Sequence, residues 1–306
     1  NGKKVHHVLP YDSPGKRGED GEQFLENRKY ISISGMQEKM SMVLEKNRLR
    51  LTNKGEQGTY ILKPKPRDLK QVDQVPANEH LTMQIARQIY GIKTAENAFI
   101  FFRDGGPAYI TKRFDVKPSG GKWASEDFAS LAGKTSENAG DNFKYDFSYE
   151  EIGILIQRYV AAARVELERF FSLVLFNYLF SNGDAHLKNF SLLETARGDY
   201  LLSPAYDLIN THLHVNDSEF ALSRGLFAEG YKSEYYKRTG HPSHKDFTEF
   251  AKRIGISANR IDKLMLPFQE KQPAMEALIK RSFLNRSNKK GYLLSYNRKR
   301  NFLLGK

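Results

Sequence analysis

Phe170, Phe171, Val174, Leu175, Tyr178 and Leu179 fall at helical spacing and cover more than one face of the helix they imply. Such a helix has no wide side to give to water, so it must run through the centre of a packed helical body. The residues after it are equally constrained. Ser181-Asn182-Gly183 ends the helix and passes the chain into the loop Asp184-Ala185-His186-Leu187-Lys188-Asn189. Next, Phe190-Ser191-Leu192-Leu193 and Tyr200-Leu201-Leu202 read as two short strands turning at Gly198. That hairpin returns the chain so that Asp207, in Ala205-Tyr206-Asp207-Leu208, arrives beside Asn189.

The rest of the chain divides near residue 115. Before it, Tyr30–Ser34, Met40–Leu44 and Thr59–Lys63 read as strands, with turns at Asn47 and Asn53-Lys54-Gly55. A helix is expected over Ala77–Tyr90, with Leu81, Ile85, Ala86 and Ile89 on its apolar face and Gly91 stopping it. Phe99–Phe102 and Ala108–Ile110 flank Arg103-Asp104-Gly105-Gly106 as a hairpin. The polar, Gly-rich run Tyr11–Arg28 is expected to be a mobile loop or arm. After residue 115, 116–148 form a polar bridge and Ile152, Leu155, Ile156, Tyr159 and Val160 mark another helix. Further helices are expected around Lys245–Ile254, Ala258–Leu264 and Pro273–Asn285. The resulting expectation is an α+β, bilobal chain: an arm over 1–29, a β-rich nucleotide-binding lobe over 30–115 and a helical catalytic lobe over 116–306.

Composition removes several classes of function. The 306 residues contain no cysteine, so there is no disulfide framework, thiol nucleophile or Cys-based zinc site. No apolar run has the length of a membrane span and no leader-like start is evident, so a cytoplasmic location is expected. Lys and Arg exceed Asp and Glu by 48 to 36, a formal charge of +12, which favours polyanionic partners. No base-reading motif accompanies that charge, so nucleic acid is expected only indirectly. Tyr292, Tyr296 and Phe302, set among the basic residues near the end, are expected to pin that segment onto the helical lobe.

An Asp, an Asn five residues later and a second Asp beyond a short hairpin is the arrangement of phosphoryl-transfer enzymes. One carboxylate orients the attacking hydroxyl; the amide oxygen and second carboxylate suit magnesium, a hard cation that takes oxygen ligands. On this reading Asp184 is the base, and Asn189 and Asp207 are the metal ligands. An Asp after a helix end is also an ordinary backbone cap, so the argument rests on all three together. Lys63, on a strand, is the candidate to polarise ATP, with Glu79 on the next helix as its ion-pair partner; Lys65 and Glu56 are the neighbouring alternatives. His186 reads as a loop anchor and Lys188 as a phosphate-facing cation or a solvated lysine. His212 and His214 lack a third ligand and make a weak metal signal. There is no Gly-x-Gly-x-x-Gly; Ser32-Ile33-Ser34-Gly35-Met36-Gln37-Glu38-Lys39 stands in its place, with amides around Gly35 available to phosphate.

Ser-x-Ser-Gly-x-Gln-Glu-Lys, Ile-Leu-Lys, Asn-Glu-His, Lys-Arg-Phe-Asp, Glu-Asp-Phe, Gly-Asp-Ala-His-Leu-Lys-Asn-Phe-Ser and Pro-Ala-Tyr-Asp-Leu occur in that order. Over roughly residues 30–285 they resemble the HipA family of bacterial serine/threonine kinase toxins, and among these the short, HipT-like members. The resemblance implies a protein-kinase-like fold, ATP and magnesium, and a toxin that phosphorylates a protein hydroxyl, typically on an aminoacyl-tRNA synthetase. It implies a helix-turn-helix antitoxin partner, with the family's N-terminal piece in some cases a separate protein. Ser34, Gly35, Met36, Lys63, Glu79, His186 and Lys188 would surround ATP, with Lys112 and Phe114 at the adenine hinge. Long members often carry an acidic residue where Lys112 stands. Ser32 and Ser34 fall where the family autophosphorylates, and added charge there would repel nucleotide. The competing expectations are a small-molecule phosphotransferase of the aminoglycoside or choline kinase type, which needs an acidic acceptor pocket, and a non-catalytic protein docking on an antitoxin–DNA complex.

Overall fold

The computed structural model describes residues 6–14, 38–67 and 69–306. The expected strand Tyr30–Ser34, and with it Ser32, Ser34, Gly35 and Met36, lies outside them. Five antiparallel strands form the first sheet: β1 (Met40–Glu45), β2 (Arg48–Leu51), β3 (Tyr60–Pro64), β4 (Asn97–Phe101) and β5 (Pro107–Lys112), in the order β2-β1-β3-β5-β4. One face of each strand supplies its core, although β3 and β5 bury consecutive residues. Met40, Met42, Leu49, Leu51, Leu62, Ile100 and Ile110 point to one side and make a small core with Leu9. Strand β2 has no counterpart among the expected elements, because four residues with two arginines carry too little pattern to separate from a turn. The start of the supposed mobile arm is fastened: Val8 bridges Phe101, the Arg103 amide donates to the Tyr11 carbonyl, and the Arg103 guanidinium clasps Asp12.

Helix α1 (Val75–Gln88) begins two residues earlier than expected, because Pro76 fits its first turn. Its apolar residues Ala77, Leu81, Met83, Ile85 and Ala86 join the large core of the helical part rather than the small core of the sheet. That larger core is organised around α3 (Ala163–Leu179), which is buried through most of its length, with α2 (Tyr149–Tyr159) against it. Besides two single-turn helices at Phe128–Leu131 and Ser136–Ala139, the later helices are α4 (Glu234–Thr239), α5 (His244–Arg253), α6 (Ala258–Gln269), α7 (Pro273–Arg281) and α8 (Arg286–Leu303). The expected helix over Pro273–Asn285 therefore stops at Ser282, and a long helix absent from the sequence pattern comes after it. Tyr292 and Tyr296 of α8 are buried and Phe302 stacks on His241, so the aromatics pin this segment as expected.

Part of the polar bridge is ordered into sheet. Strand β6 (Ser125–Asp127) pairs with β7 (Ser191–Glu194), which pairs in turn with β8 (Tyr200–Leu202). Main chain also joins the two halves where Thr94 bridges Ala205: the Ala95 amide donates to the Ala205 carbonyl at 2.9 Å and the Ala205 amide to that of Lys93 at 2.8 Å. No described helix is long and apolar enough to cross a membrane.

Candidate active site

A cavity of about 720 Å³ lies between the sheet and the helical part, within the size range of small-molecule sites. Lys63, Asp184, Asn189 and Asp207 all line it, together with Lys39, Lys112, Phe114, His186 and Lys188. Residues separated by more than a hundred positions converge there because three element ends open onto one space: β3, the loop after α3, and the turn after β8.

Lys63 is nearly inaccessible at the end of β3, and its ammonium is ion-paired with Glu79 at 2.6 Å and with Asp207. Burial works to lower Lys63, but the charges of Asp207 and Glu79 outweigh it and raise the ammonium well above its usual range. Burial would likewise raise Asp207. The charges of Lys63 and then Lys39 overcome it and hold this carboxylate well below the usual range. Glu79, behind the cavity, is pushed upward by burial despite Lys63. Both alternatives raised by the sequence are engaged elsewhere: Lys65 pairs with Asp73, and Glu56 with Arg50.

Asp207 takes a left-handed backbone (φ 55°), a conformation that Asp tolerates better than most residues and that recurs at functional sites. At the other side, Ser181 (φ 54°) ends the central helix in the same region of backbone space. Gly183 follows because a Cβ there would run into the Asp217 carboxylate and come 2.8 Å from the Ser218 carbonyl oxygen. Asp184 is thereby delivered with its side chain half exposed.

In the loop between them, the Asn189 side-chain oxygen accepts the His186 amide at 3.2 Å, closing a tight turn. His186 is buried, and burial lowers its imidazole to about 4, so the ring is neutral near pH 7. Its ring packs edge-on against Tyr145, and its Nδ1 has no hydrogen-bond partner among the described residues, so the hydrogen-bonding anchor expected from sequence is not made by the imidazole. Lys188 lines the cavity with its ammonium 5.7 Å from the Phe143 ring centre. At the hinge the Lys112 ammonium leans outward to Glu96 at 3.7 Å, while the Phe114 ring lies tilted on Tyr206. His212 and His214 part company: His212 faces Asp217 at 3.0 Å, whereas buried His214 bonds to the Lys70 carbonyl and the Asn78 amide.

Among the described residues no three His, Cys, Asp or Glu side chains cluster as a ready metal site. The donor set still suits magnesium: an ionised carboxylate, Asp207, and an amide oxygen, Asn189, which spends only one lone pair on His186. Magnesium typically takes one or two protein oxygens and completes its shell with phosphate and water.

Two cavity residues that contact the expected site carboxylates are not among the site candidates from sequence. Lys39, 3.6 Å from Asp207, sits in the Gln-Glu-Lys run that stands in the nucleotide-loop position, and its place there was the available signal. Tyr145, whose hydroxyl donates to Asp184 at 2.8 Å, comes from the polar bridge and carries no local signature.

A strand-rich lobe and a helical lobe enclosing such a cleft define a kinase-like fold. The chain belongs to the HipA-like C-terminal domain family, whose model matches residues 31–276. A protein of Haemophilus influenzae named "Putative kinase" is 28% identical over 273 residues, covering 83% of this chain and 76% of that one. A Sinorhizobium fredii protein named "Putative kinase Y4dM" is 30% identical over 205 residues; the match covers 62% of this chain and 47% of that relative, about half its length. Among solved structures, HipA in the Shewanella oneidensis complex of HipA, HipB and operator DNA superposes with a TM-score of 0.69 at 17% identity, over 97% of this chain and 74% of that one. The Helicobacter pylori proinflammatory kinase CtkA gives 0.53 at 16% identity, over 86% and 93%.

Proposed function

We propose that this chain is an ATP-dependent serine/threonine protein kinase that acts as the toxin of a toxin–antitoxin module. The observation that carries this reading is the convergence of Lys63, Asp184, Asn189 and Asp207 on one cavity, with Glu79 bracing Lys63 from behind. In this reading residues 30–115 form the nucleotide lobe and 116–306 the catalytic lobe. Lys63 and Lys39 face the phosphates of ATP, and Lys112 and Phe114 mark the adenine end. Asn189 and Asp207 would hold magnesium, which neutralises phosphate charge when bound. The acceptor hydroxyl docks on Asp184 and gives it its proton. Its oxygen bonds to the γ-phosphorus while the bond from that phosphorus to ADP breaks.

The lining of the cavity bears on the acceptor. Six cations (Lys39, Lys63, Lys112, Arg113, Lys144, Lys188) face four carboxylates (Asp115, Asp184, Asp207, Asp217). That excess of cations among the described lining residues suits a cationic acceptor of the aminoglycoside or choline type poorly, which favours the protein-kinase reading. The family resemblance extends the proposal to an aminoacyl-tRNA synthetase as substrate and a helix-turn-helix antitoxin as partner, and the structural neighbour containing HipB and operator DNA supports that partner class. It also makes Ser32 and Ser34 the autophosphorylation sites.

The test is incubation with Mg-ATP and a bacterial lysate, followed by mass spectrometry. Wild-type protein is expected to label a protein hydroxyl and its own Ser32 or Ser34, and Asp184→Asn to label neither. Near-normal labelling by Asp184→Asn would refute the mechanism.

A further inference from the structure

Asp184 is half exposed at the end of a turn, and a carboxylate so placed rotates freely unless something holds it. Its own backbone amide is committed to the Asn182 side chain at 3.3 Å. The carboxylate has a different partner: the Tyr145 hydroxyl donates to its Oδ1 at 2.8 Å. His186 Nε2 lies further off, at 3.9 Å.

Tyr145 is itself held on three sides. Its amide donates to the Asn142 carbonyl at 2.9 Å, and its own carbonyl accepts the Ser223 amide at 2.8 Å. Its ring stands edge-on to His186, with centroids 5.2 Å apart, and the Lys144 ammonium lies 4.9 Å from the ring centre. Burial, reinforced by the charge of Asp184, pushes the phenol far above its usual range, so the hydroxyl keeps its proton and acts as the donor. A ring carrying a fixed donor thus meets a carboxylate that makes no other hydrogen bond among the described residues.

We infer that Tyr145 is a positioning residue: by bonding to Oδ1 it fixes the rotation of the Asp184 carboxylate and leaves Oδ2 turned to the acceptor hydroxyl. The inference rests on the proposed role of Asp184 as base. It assigns the polar bridge between the lobes a part in catalysis, because Tyr145 belongs to that bridge and reaches the loop only through the fold. A hydroxyl on this carboxylate also marks where an acceptor would sit, so two rivals exist: Tyr145 as a plug that must leave, and Tyr145 as the phosphate acceptor itself.

Tyr145→Phe separates these. It removes one oxygen and keeps the ring on His186. Kinetics of phosphoryl transfer, binding of a non-hydrolysable ATP analogue and thermal unfolding are measured beside Asp184→Asn. The expected result is a kcat lower by roughly 10- to 100-fold, the cost typical of a misaligned catalytic group, with KM for ATP, analogue affinity and unfolding temperature unchanged. Wild-type kcat in Tyr145→Phe, with Asp184→Asn inactive, overturns the positioning role and leaves the kinase reading intact. A raised kcat identifies a plug and overturns it. A raised KM for ATP at constant kcat makes the residue part of nucleotide binding, and phosphate on Tyr145 in wild-type protein makes it the acceptor; either overturns the inference. An active Asp184→Asn removes the base, and with it both claims.

Discussion

Lys63 is held between two carboxylates of different character, Glu79 sealed in the interior and Asp207 opening onto the cavity. Removing one partner of a buried pair strands the other, at a cost of roughly 3–5 kcal/mol. Asp207 remains beside Lys63 in Glu79→Gln, so the expected loss is at the low end, about 3 kcal/mol by urea unfolding, with KM for ATP raised. A variant matching wild type in both would show that Glu79 is dispensable. Histidine predicts a second behaviour. Burial lowers both His186 and His80 from 6.5 to about 4 in the fold. The unfolded chain then takes up protons first as pH falls, so this stabilisation is complete above about 6.5 and is lost progressively towards 4. The urea midpoint should drop across that window, more steeply in wild type than in His80→Phe; equal slopes would exclude His80 as a source. Asp207, held low, acts in the same direction but loses its contribution only in stronger acid, below the window of the histidines.

At the scale of elements, α1 is bound to the helical part more than its place in the chain suggests. Asn78, fully buried, donates to the Asn210 carbonyl at 2.7 Å, accepts the Asn210 amide at 3.2 Å and meets His214 Nε2 at 2.9 Å. One turn on, Thr82 meets the Tyr292 hydroxyl of α8 at 2.8 Å. These bonds place Glu79 opposite Lys63 and tie α1 to the segment just past Asp207. Asn78→Ala leaves several buried groups unpaired at roughly 1–3 kcal/mol each. The expected destabilisation is therefore about 3 kcal/mol, with faster amide exchange in α1. Unchanged exchange would show that the apolar face alone secures the helix.

The same elements show what the sequence could and could not convey. Helix α3 is legible because its residues carry a dense apolar period, and the β4–β5 hairpin because Gly105 (φ 82°) supplies the turn that Arg103-Asp104-Gly105-Gly106 advertises. Helix α8 is not legible as a helix because charge dominates it and Gly291 interrupts it. Its buried stripe of Tyr292, Tyr296, Lys299 and Leu303 includes a lysine, which a hydrophobic pattern cannot register. Lys299 is buried because it pairs with Glu219 at 2.8 Å, a partner supplied only by tertiary structure. Asp184, Asn189 and Asp207 can be found since they share one loop and hairpin. Tyr145 cannot, for nothing in the residues around it indicates which distant carboxylate it meets.

For the molecule as a whole, a ligand that fills the cleft between the lobes must stabilise both. At a hundredfold excess over Kd, binding to the folded state alone adds about 2.7 kcal/mol. For a chain of this size that raises Tm by roughly 5 °C. Mg-ATP should therefore shift thermal unfolding of wild type by that amount and of Asp207→Ala by much less. An equal shift in both would mean that nucleotide binds without Asp207.

The bridge at Thr94 and Ala205 bears on how such a molecule can move. Two main-chain hydrogen bonds cross from the strand side to the helical side within a few residues of Asp207. Each is worth about 1 kcal/mol net, and with the bonds of Asn78 and Thr82 they hold the two halves together on the Asp207 side of the cleft. Any opening of the cleft would be smallest beside these ties and largest at the lip farthest from them. Changing the length of chain on either side of residue 94 would then alter how far the lips part while leaving the residues that line the cavity in place.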